Sequence, residues 1–386
     1  MRTRVLGLLA AGLMAASLPL AAQSSQFGVR GLGHPGRGLA VDALGTAGAT
    51  GLFSSGSSLN PAALALLTTS LTSFSTLQDW RSTTNPTGSG DTREQRFPLV
   101  SIGGPVPKSN WAVGITYASY TNRDFTLVSE GTASPRGIPI GVTDSLGSTG
   151  GLSDFRVGVG YKLHESVYLG VGAHLISGSN RLYSNRAWED TTYTSIRQST
   201  ELSYLGFGIS GGAIFRLSPA LSVAGTVRLD GPLDVERDSV GTGTIEMPLS
   251  LNAGVRFQPS TRWMLAAQAG TRTWSRANSG LTDLGGVAAR NTNEFSAGLE
   301  YYRNRRSPEQ LPLRVGVRHA DLPFLLVQGS QPRETAVSLG TGVRFAKGVG
   351  GLDVALERVH RSQGASYTEN AWLLSIGISL RGVLSN

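Results

Sequence analysis

The sequence predicts an all-β fold: a transmembrane, antiparallel, up-and-down β-barrel of about fourteen strands with an N-terminal plug (hatch) in its lumen. Three observations carry this. Apolar residues alternate with small or polar ones along most of the chain. Tight turns and longer polar connections follow one another. A glycine-rich segment precedes the first strand.

The first element is the basic start Arg2 and Arg4, followed by the apolar run Val5 to Leu20 and the small residues Ala21 and Ala22. This is the layout of a cleaved export signal, residues 1–22, with Ala22 as its last residue. The run is short for a membrane anchor, and no cysteine stands nearby to take a lipid. The whole chain has no cysteine, so disulfides play no part. The formal charge of +8 becomes +6 when the two charges of Arg2 and Arg4 leave. The arginines are spread through strands rather than clustered, and an exported protein rarely meets nucleic acid, which excludes that partner.

Residues 23–68 form the second element. Gly28, Gly31, Gly33, Gly36, Gly38, Gly45, Gly48, Gly51 and Gly56 leave little room for regular strands. Short helical turns are expected from Gly38 to Leu44 and from Ala62 to Leu67. Pro61 suits the first helical position and Asn60 its cap. A mildly apolar leader of this size is too long for a disordered tail and about right to fill a wide lumen.

The strands fill residues 69–386, and Arg333 to Phe345 shows their pattern best. Thr335, Val337, Leu339, Thr341, Val343 and Phe345 make one face; Glu334, Ala336, Ser338, Gly340, Gly342 and Arg344 make the other. Successive side chains of a strand point to opposite faces. The same alternation marks Trp111 to Tyr117, Phe155 to Leu163, Val167 to Leu175, Leu249 to Phe257, Phe295 to Tyr301 and Trp372 to Leu380. Helical periodicity is absent beyond about residue 70.

Tight turns are expected at Pro105–Asn110, Leu163–Ser166, Leu217–Ala220, Gln258–Thr261, Arg303–Gln310 and Ala346–Gly350. Long polar connections are expected at Arg81–Arg93, Asn122–Gly150, Arg181–Ser199, Asp230–Thr242, Arg276–Arg290, Asp321–Pro332 and Arg361–Glu369. The strict short–long rhythm is that of an outer-membrane barrel with short periplasmic turns and long outer loops. An even strand number returns both ends to one side. The chain ends Gly382-Val383-Leu384-Ser385-Asn386, without the terminal aromatic residue common in such barrels.

Gly36-Arg37-Gly38-Leu39-Ala40, the Gly/Ala segment Ala43 to Ala49, and Ser57-Ser58-Leu59-Asn60-Pro61-Ala62-Ala63-Leu64 resemble the hatch of FadL/TodX-type outer-membrane transporters of hydrophobic compounds. Their Asn-Pro-Ala motif falls on Asn60, Pro61 and Ala62. Phe97 to Pro105, leading into Asn110 to Gly114, and Pro312 to Arg318 are similar in style to distant bacterial members.

The resemblance implies a fourteen-stranded, hatch-plugged channel in the outer membrane of a Gram-negative-type envelope. Its ligand would be a hydrophobic small molecule: a fatty acid, a detergent or an aromatic compound. Capture outside would be followed by lateral release into outer-membrane lipid. Phe27, Leu32, Leu39, Leu44, Leu52 and Phe53 are the hatch residues expected nearest a ligand, with packing of the plug as the equal alternative. Pro98, Gly103, Gly104 and Asn122 are candidates for the lateral gate, since proline and glycine break strand pairing. Arg156, Arg216, Arg228, Arg256, Arg314, Arg318 and Arg344 face the lumen. They are expected mostly to pair with Asp154, Glu300, Glu334, Asp353 and Glu357. Arg318 and Arg344 are the first choices for meeting a ligand carboxylate.

The chain is not expected to be an enzyme, to hold a metal or to need a cofactor. His34, His164, His174, His319 and His360 are scattered, and none falls beside a recognisable Ser and Asp pair. The partners expected are the hydrophobic ligand, membrane lipid and the barrel-assembly machinery. The alternative function is a barrel of the same build acting as a partner in protein secretion or surface attachment. A general polar porin fits poorly with a filled lumen.

Overall fold

The computed structural model describes residues 25–135, 137–302 and 311–382. The expected export signal, the Arg303–Gln310 turn and the last residues of the chain lie outside these. Fourteen strands form the wall. They are β1 (Leu71–Asn85), β2 (Gly88–Pro105), β3 (Trp111–Asn122), β4 (Ile140–His164), β5 (Val167–Trp188), β6 (Ile196–Arg216) and β7 (Leu221–Arg237). The circuit continues with β8 (Ser250–Phe257), β9 (Trp263–Arg272), β10 (Thr292–Tyr301), β11 (Leu313–Asp321), β12 (Arg333–Phe345), β13 (Gly350–Gln363) and β14 (Tyr367–Arg381). Each pairs antiparallel with its neighbours. The barrel closes where β14 meets β1, from Thr368↔Thr84 to Arg381↔Leu71.

The alternation read from the sequence sets the two faces. On β3, Trp111, Val113, Ile115 and Tyr117 are exposed outward while Ala112, Thr116 and Ala118 are buried. On β12, Val337, Leu339 and Phe345 point out while Glu334, Ala336 and Ser338 are buried. The outward apolar band continues around the barrel through Phe155, Val171, Phe207, Leu265, Phe295, Val317 and Leu380. Near the short-turn end, aromatic rings pair across strands. Trp111 lies 4.5 Å from Tyr161 and Trp263 lies 4.6 Å from Tyr301. Such a belt is where amphipathic rings meet the membrane–water boundary. No helix among the described residues is long and apolar enough to cross a membrane.

The connections at the other end differ from the expected long loops. Arg81–Arg93 and Arg361–Glu369 are not loops: β1 and β2 run on to a turn at residues 86–87, and β13 and β14 to a turn at 364–366. Much of Asn122–Gly150 is a hairpin arm, Phe125–Ala133 pairing with β4 up to Ile140. Between Asn122 and that arm the strand is interrupted at residues 123–124, while the Arg123 amide still donates to the Gly150 carbonyl at 2.9 Å. Arg181–Ser199 is largely strand too. In these stretches the inward positions carry buried, ion-paired residues such as Arg81, Arg361 and Glu369 rather than apolar ones, so the strands read as polar and look like loops. Conversely, a short helical stretch, Trp274–Asp283, interrupts the connection before β10, where no helix was expected. The wall is uneven in height: β4 has 25 residues and β8 only 8.

Residues 25–66 fill the lumen. Their own elements are small: Val41–Leu44 is one α-helical turn and Pro61–Leu66 a 3-10 helix. Lumen-facing glycines of the wall admit them. A Cβ on Gly160 would stand 2.7 Å from the Ala65 nitrogen, on Gly340 2.6 Å from the Gly45 Cα, and on Gly377 2.8 Å from Val41. Gly114 and Gly158 make the same room for Leu64, Gly298 and Gly316 for Thr46, and Gly170 for Ala62. Because these glycines belong to strands all around the circuit, the segment lies inside the barrel. The glycine content is thus a lumen-packing signal rather than a turn signal.

Candidate functional site

The plug is built from local caps joined to the wall by buried polar contacts. Asn60 is 1% exposed. Its side-chain oxygen accepts from the Ala62 amide at 3.0 Å, and its Nδ2 donates to the Leu52 carbonyl at 2.9 Å. One side chain therefore caps the Pro61–Leu66 turn and ties it to the preceding segment. Pro61 at the helix start costs no hydrogen bond there. Arg156 of β4 donates to the carbonyls of Ser58 at 2.7 Å and Ser57 at 3.3 Å, pinning the same loop. At the long-loop end, Ser25 donates to Glu369 of β14 at 2.8 Å.

The apolar plug residues proposed from sequence are all buried but are not gathered in one pocket. Leu32 joins Leu152, Ile176, Leu233, Trp274 and Phe324 in a cluster at the long-loop end. Trp274 and Phe324 meet there edge to face at 5.5 Å. Gly31 passes under that ring with φ +58°, and a Cβ would collide with Phe324. A register shift at Gly231–Pro232 turns Leu233 and Val235 inward where Asp230 precedes them, which makes the cluster apolar. Leu39 and Leu44 lie lower, with Val41, Ala43 and Ala355. Leu52 and Phe53 pack with Ala62, Ala63, Tyr168 and Ile214, and the Arg256 guanidinium stacks over Phe53 at 4.9 Å. Phe27 is 2% exposed.

Of the arginines expected in the lumen, Arg228, Arg314, Arg318 and Arg344 sit in ion-pair networks, whereas Arg156 bonds the plug carbonyls and Arg216 and Arg256 lie over Tyr168 and Phe53. Arg318 pairs with Glu334, and with Glu294 at 3.6 Å; Arg344 pairs with Asp353 at 2.8 Å. Arg361 bridges Glu334 and Glu369, and Arg81 adds Asp79 and Glu369. Arg314 spans Glu300 at 2.8 Å and Asp353 at 2.9 Å, and the plug joins in through Arg37 to Glu357 at 2.8 Å. Charges this deep are held by one another, and each is costly to strand.

A second network corrects the reading of the histidines. His174 of β5 lies 2.8 Å from Asp154 of β4 through Nδ1 and 2.8 Å from Ser210 of β6 through Nε2. All three are buried. A Ser–His–Asp chain therefore exists, across three neighbouring strands. Strand alternation places Asp154, His174 and Ser210 on the lumen face. Only the hydrogen-bond register brings them together, and register is not written in any one strand.

The wall itself is interrupted. β2 pairs with β3 only from Leu99↔Ala118 to Pro105↔Ala112. Above Leu99 stands Pro98, which has no N–H to give, and the β1–β2 register slips between Ser75 and Leu77 opposite it. Among the described residues, Gly88–Pro98 has no strand partner on its β3 side. The plug enters this gap: His34 and Pro35 pair with Asn122 and Thr121, and the Gly36 amide donates to the Tyr120 carbonyl at 2.8 Å. Asn122 donates across the gap to Glu94 of β2 at 2.7 Å. Pro98 and Asn122 therefore border the break. Gly103 and Gly104 lie lower, within paired wall opposite Gly114 and Val113. Phe97 and Tyr117, both exposed, place the lower edge of the break at the top of the apolar band.

A closed fourteen-stranded barrel, plugged by its own N-terminal segment, has the FadL-type fold. The chain is similar to a FadL homologue of Pseudomonas aeruginosa, with 12% identity, TM-score 0.62, and 90% of this chain and 99% of that one covered. It is also similar to the monoaromatic hydrocarbon channel CymD (16% identity, TM-score 0.56, 90% and 99% covered). The third likeness is to the toluene transporter TbuX of Ralstonia pickettii (15% identity, TM-score 0.53, 95% and 100% covered). At these identities the likeness is one of fold. No curated protein matches in sequence. A family model described as BamG matches residues 11–223, more than half of the chain, and the chain belongs to the BamG family.

Proposed function

We propose that this chain is an outer-membrane channel for hydrophobic small molecules, fatty-acid-like or aromatic, exported with a cleaved signal over residues 1–22. Residues 23–68 are its gate and residues 69–386 its barrel. Its other partners are membrane lipid and the barrel-assembly machinery that inserts it. The observation that carries the reading is the break between β2 and β3 with the plug's His34–Pro35 paired into it. Ligand enters at the long-loop end against Leu32 and its apolar neighbours, displaces the upper plug, and leaves sideways through the break into lipid. Each methylene kept out of water is worth about 0.8 kcal/mol, so release into lipid avoids a return through water. The similar fold of hydrocarbon channels supports the same reading.

The absence of cysteine allows a clean test. Glu94→Cys with Asn122→Cys places two thiols across the break. A short, reducible thiol cross-linker should abolish uptake of a long-chain fatty acid or toluene by cells carrying this variant, and reductant should restore it. Full cross-linking with unchanged uptake would overturn the reading. The second reading, a barrel that partners other envelope proteins in secretion or surface attachment, is favoured by the tall strands β4 to β6 standing above the short β8. It predicts co-purifying envelope proteins and no uptake in either cross-linking state.

A further inference from the structure

The Ser210–His174–Asp154 chain does more than tie three strands together. We propose that it is an acyl-transfer centre in the lumen, acting on carboxylic esters with a short acyl group. The inference stands on this geometry alone and is independent of the transport reading.

For the neutral imidazole the hydrogen bonds fix the tautomer. An ionised carboxylate can only accept, so Asp154 Oδ1 takes its bond from His174 Nδ1–H. Nε2 is then the ring's lone pair, and it accepts from the Ser210 hydroxyl. This is the arrangement that makes serine a nucleophile: base in contact with the hydroxyl, and a positioning residue holding the base. A candidate donor for the oxyanion stands beside it. Arg228 of β7 is the register partner of Ser210. Its Nη1 is committed to Asp154 at 2.6 Å and its Nε to Asp230 at 2.9 Å. Its Nη2 is buried with no hydrogen-bond partner. A buried guanidinium N–H without a partner is the kind of group that stabilises charge developing on a carbonyl oxygen.

Access is through the plug. Asp154, His174, Ser210 and Arg228 line a cavity of about 50 Å³, closed on its other side by Gly36, Gly38 and Ser58 of the plug. It adjoins a second cavity of about 60 Å³ with which it shares Arg37, Leu59, Asn252 and Arg272. That one extends to Asp321, Leu322 and Pro323 at the long-loop end. The two chambers lie side by side between Ser210 and the long-loop end, and their small volumes limit the acyl group to a small one. In the first half-reaction Ser210 Oγ bonds to the ester carbonyl carbon and its proton passes to His174 Nε2. The C–O bond to the alcohol then breaks, and the leaving oxygen takes the proton back. In the second half-reaction water attacks the acyl-serine by the same proton route, releasing the acid and restoring Ser210.

The test uses the full chain in detergent with p-nitrophenyl acetate as substrate. Release of p-nitrophenol and mass spectrometry of the Ser210 peptide are followed together. The wild type should carry an acetyl group on Ser210 and turn over. Ser210→Ala, which removes one oxygen from an otherwise unchanged wall, should lose both signals. His174→Gln should slow acylation by about 100-fold or more, the usual contribution of a general base. If Ser210→Ala hydrolyses as fast as wild type, or no acyl group is found on Ser210, the three residues are a structural tie and the proposal is wrong. A His174→Gln protein that fails to assemble leaves the Ser210→Ala comparison to decide.

Discussion

Asn122 of β3 donates to Glu94 of β2 at 2.7 Å across a stretch where the two strands share no backbone hydrogen bond. A side-chain contact thus stands where the ladder should be. It is a single, removable bond in a wall otherwise sewn by many. Asn122→Ala should leave the barrel closed below Leu99 and loosen only the break. Glu94 keeps Arg96 at 3.3 Å, and losing one hydrogen bond to a charged group costs about 1.5–3 kcal/mol. Uptake of a hydrophobic fluorescent probe should rise in whole cells, while heat-modified migration on gels stays unchanged. An unaltered permeability would remove the break from the ligand's route.

Asn60 holds two parts of the plug with one amide. Replacing it by alanine removes a cap worth about 0.5–2 kcal/mol and frees the Leu52 carbonyl inside the lumen. The wall does not depend on it. Asn60→Ala should therefore assemble normally but expose the plug to protease between residues 50 and 66 faster than wild type. A cleavage rate equal to wild type would show that the wall glycines alone hold the plug.

Glu334 accepts from both Arg318 and Arg361, and it is 1% exposed. Glu334→Gln keeps the shape and removes the charge, leaving Arg318 to Glu294 and Arg361 to Glu369 alone. Breaking a buried pair on one side costs about 3–5 kcal/mol. Denaturant unfolding in detergent should show a loss of that order. A loss below about 1 kcal/mol would mean that water already screens the network as it does at a surface.

Leu339 and Ser338 are neighbours in sequence and opposites in environment: the first is 56% exposed on the outer face, the second fully buried against the Gly45 carbonyl. Leu339→Arg should cost about 2–4 kcal/mol if the position lies near the bilayer midplane. The penalty should be present in lipid vesicles and much smaller in detergent that accommodates the charge. Equal stability in both would move Leu339 out of the membrane.

The sequence alone determined which residues of each strand share a face. Alternation is local, because a side chain's direction follows from its position in the pleat, so Val337 and Leu339 could be put on one face without knowing their neighbours. Local patterning also placed Asn60 and Pro61 at a helix start and found the short turns between strands. What the tertiary structure decided was register and height. Arg81–Arg93 and Arg361–Glu369 read as loops because their inward residues, Arg81, Arg361 and Glu369 among them, are buried by ion pairing and leave no apolar face to reveal a strand. Pro98 and Asn122 became the two sides of one break only when the β2–β3 ladder was seen to stop at Leu99. The Ser210–His174–Asp154 chain was hidden for the same reason. Each residue showed its face, but contact among them depends on offsets between three strands, and those offsets are set by the closure of the whole barrel.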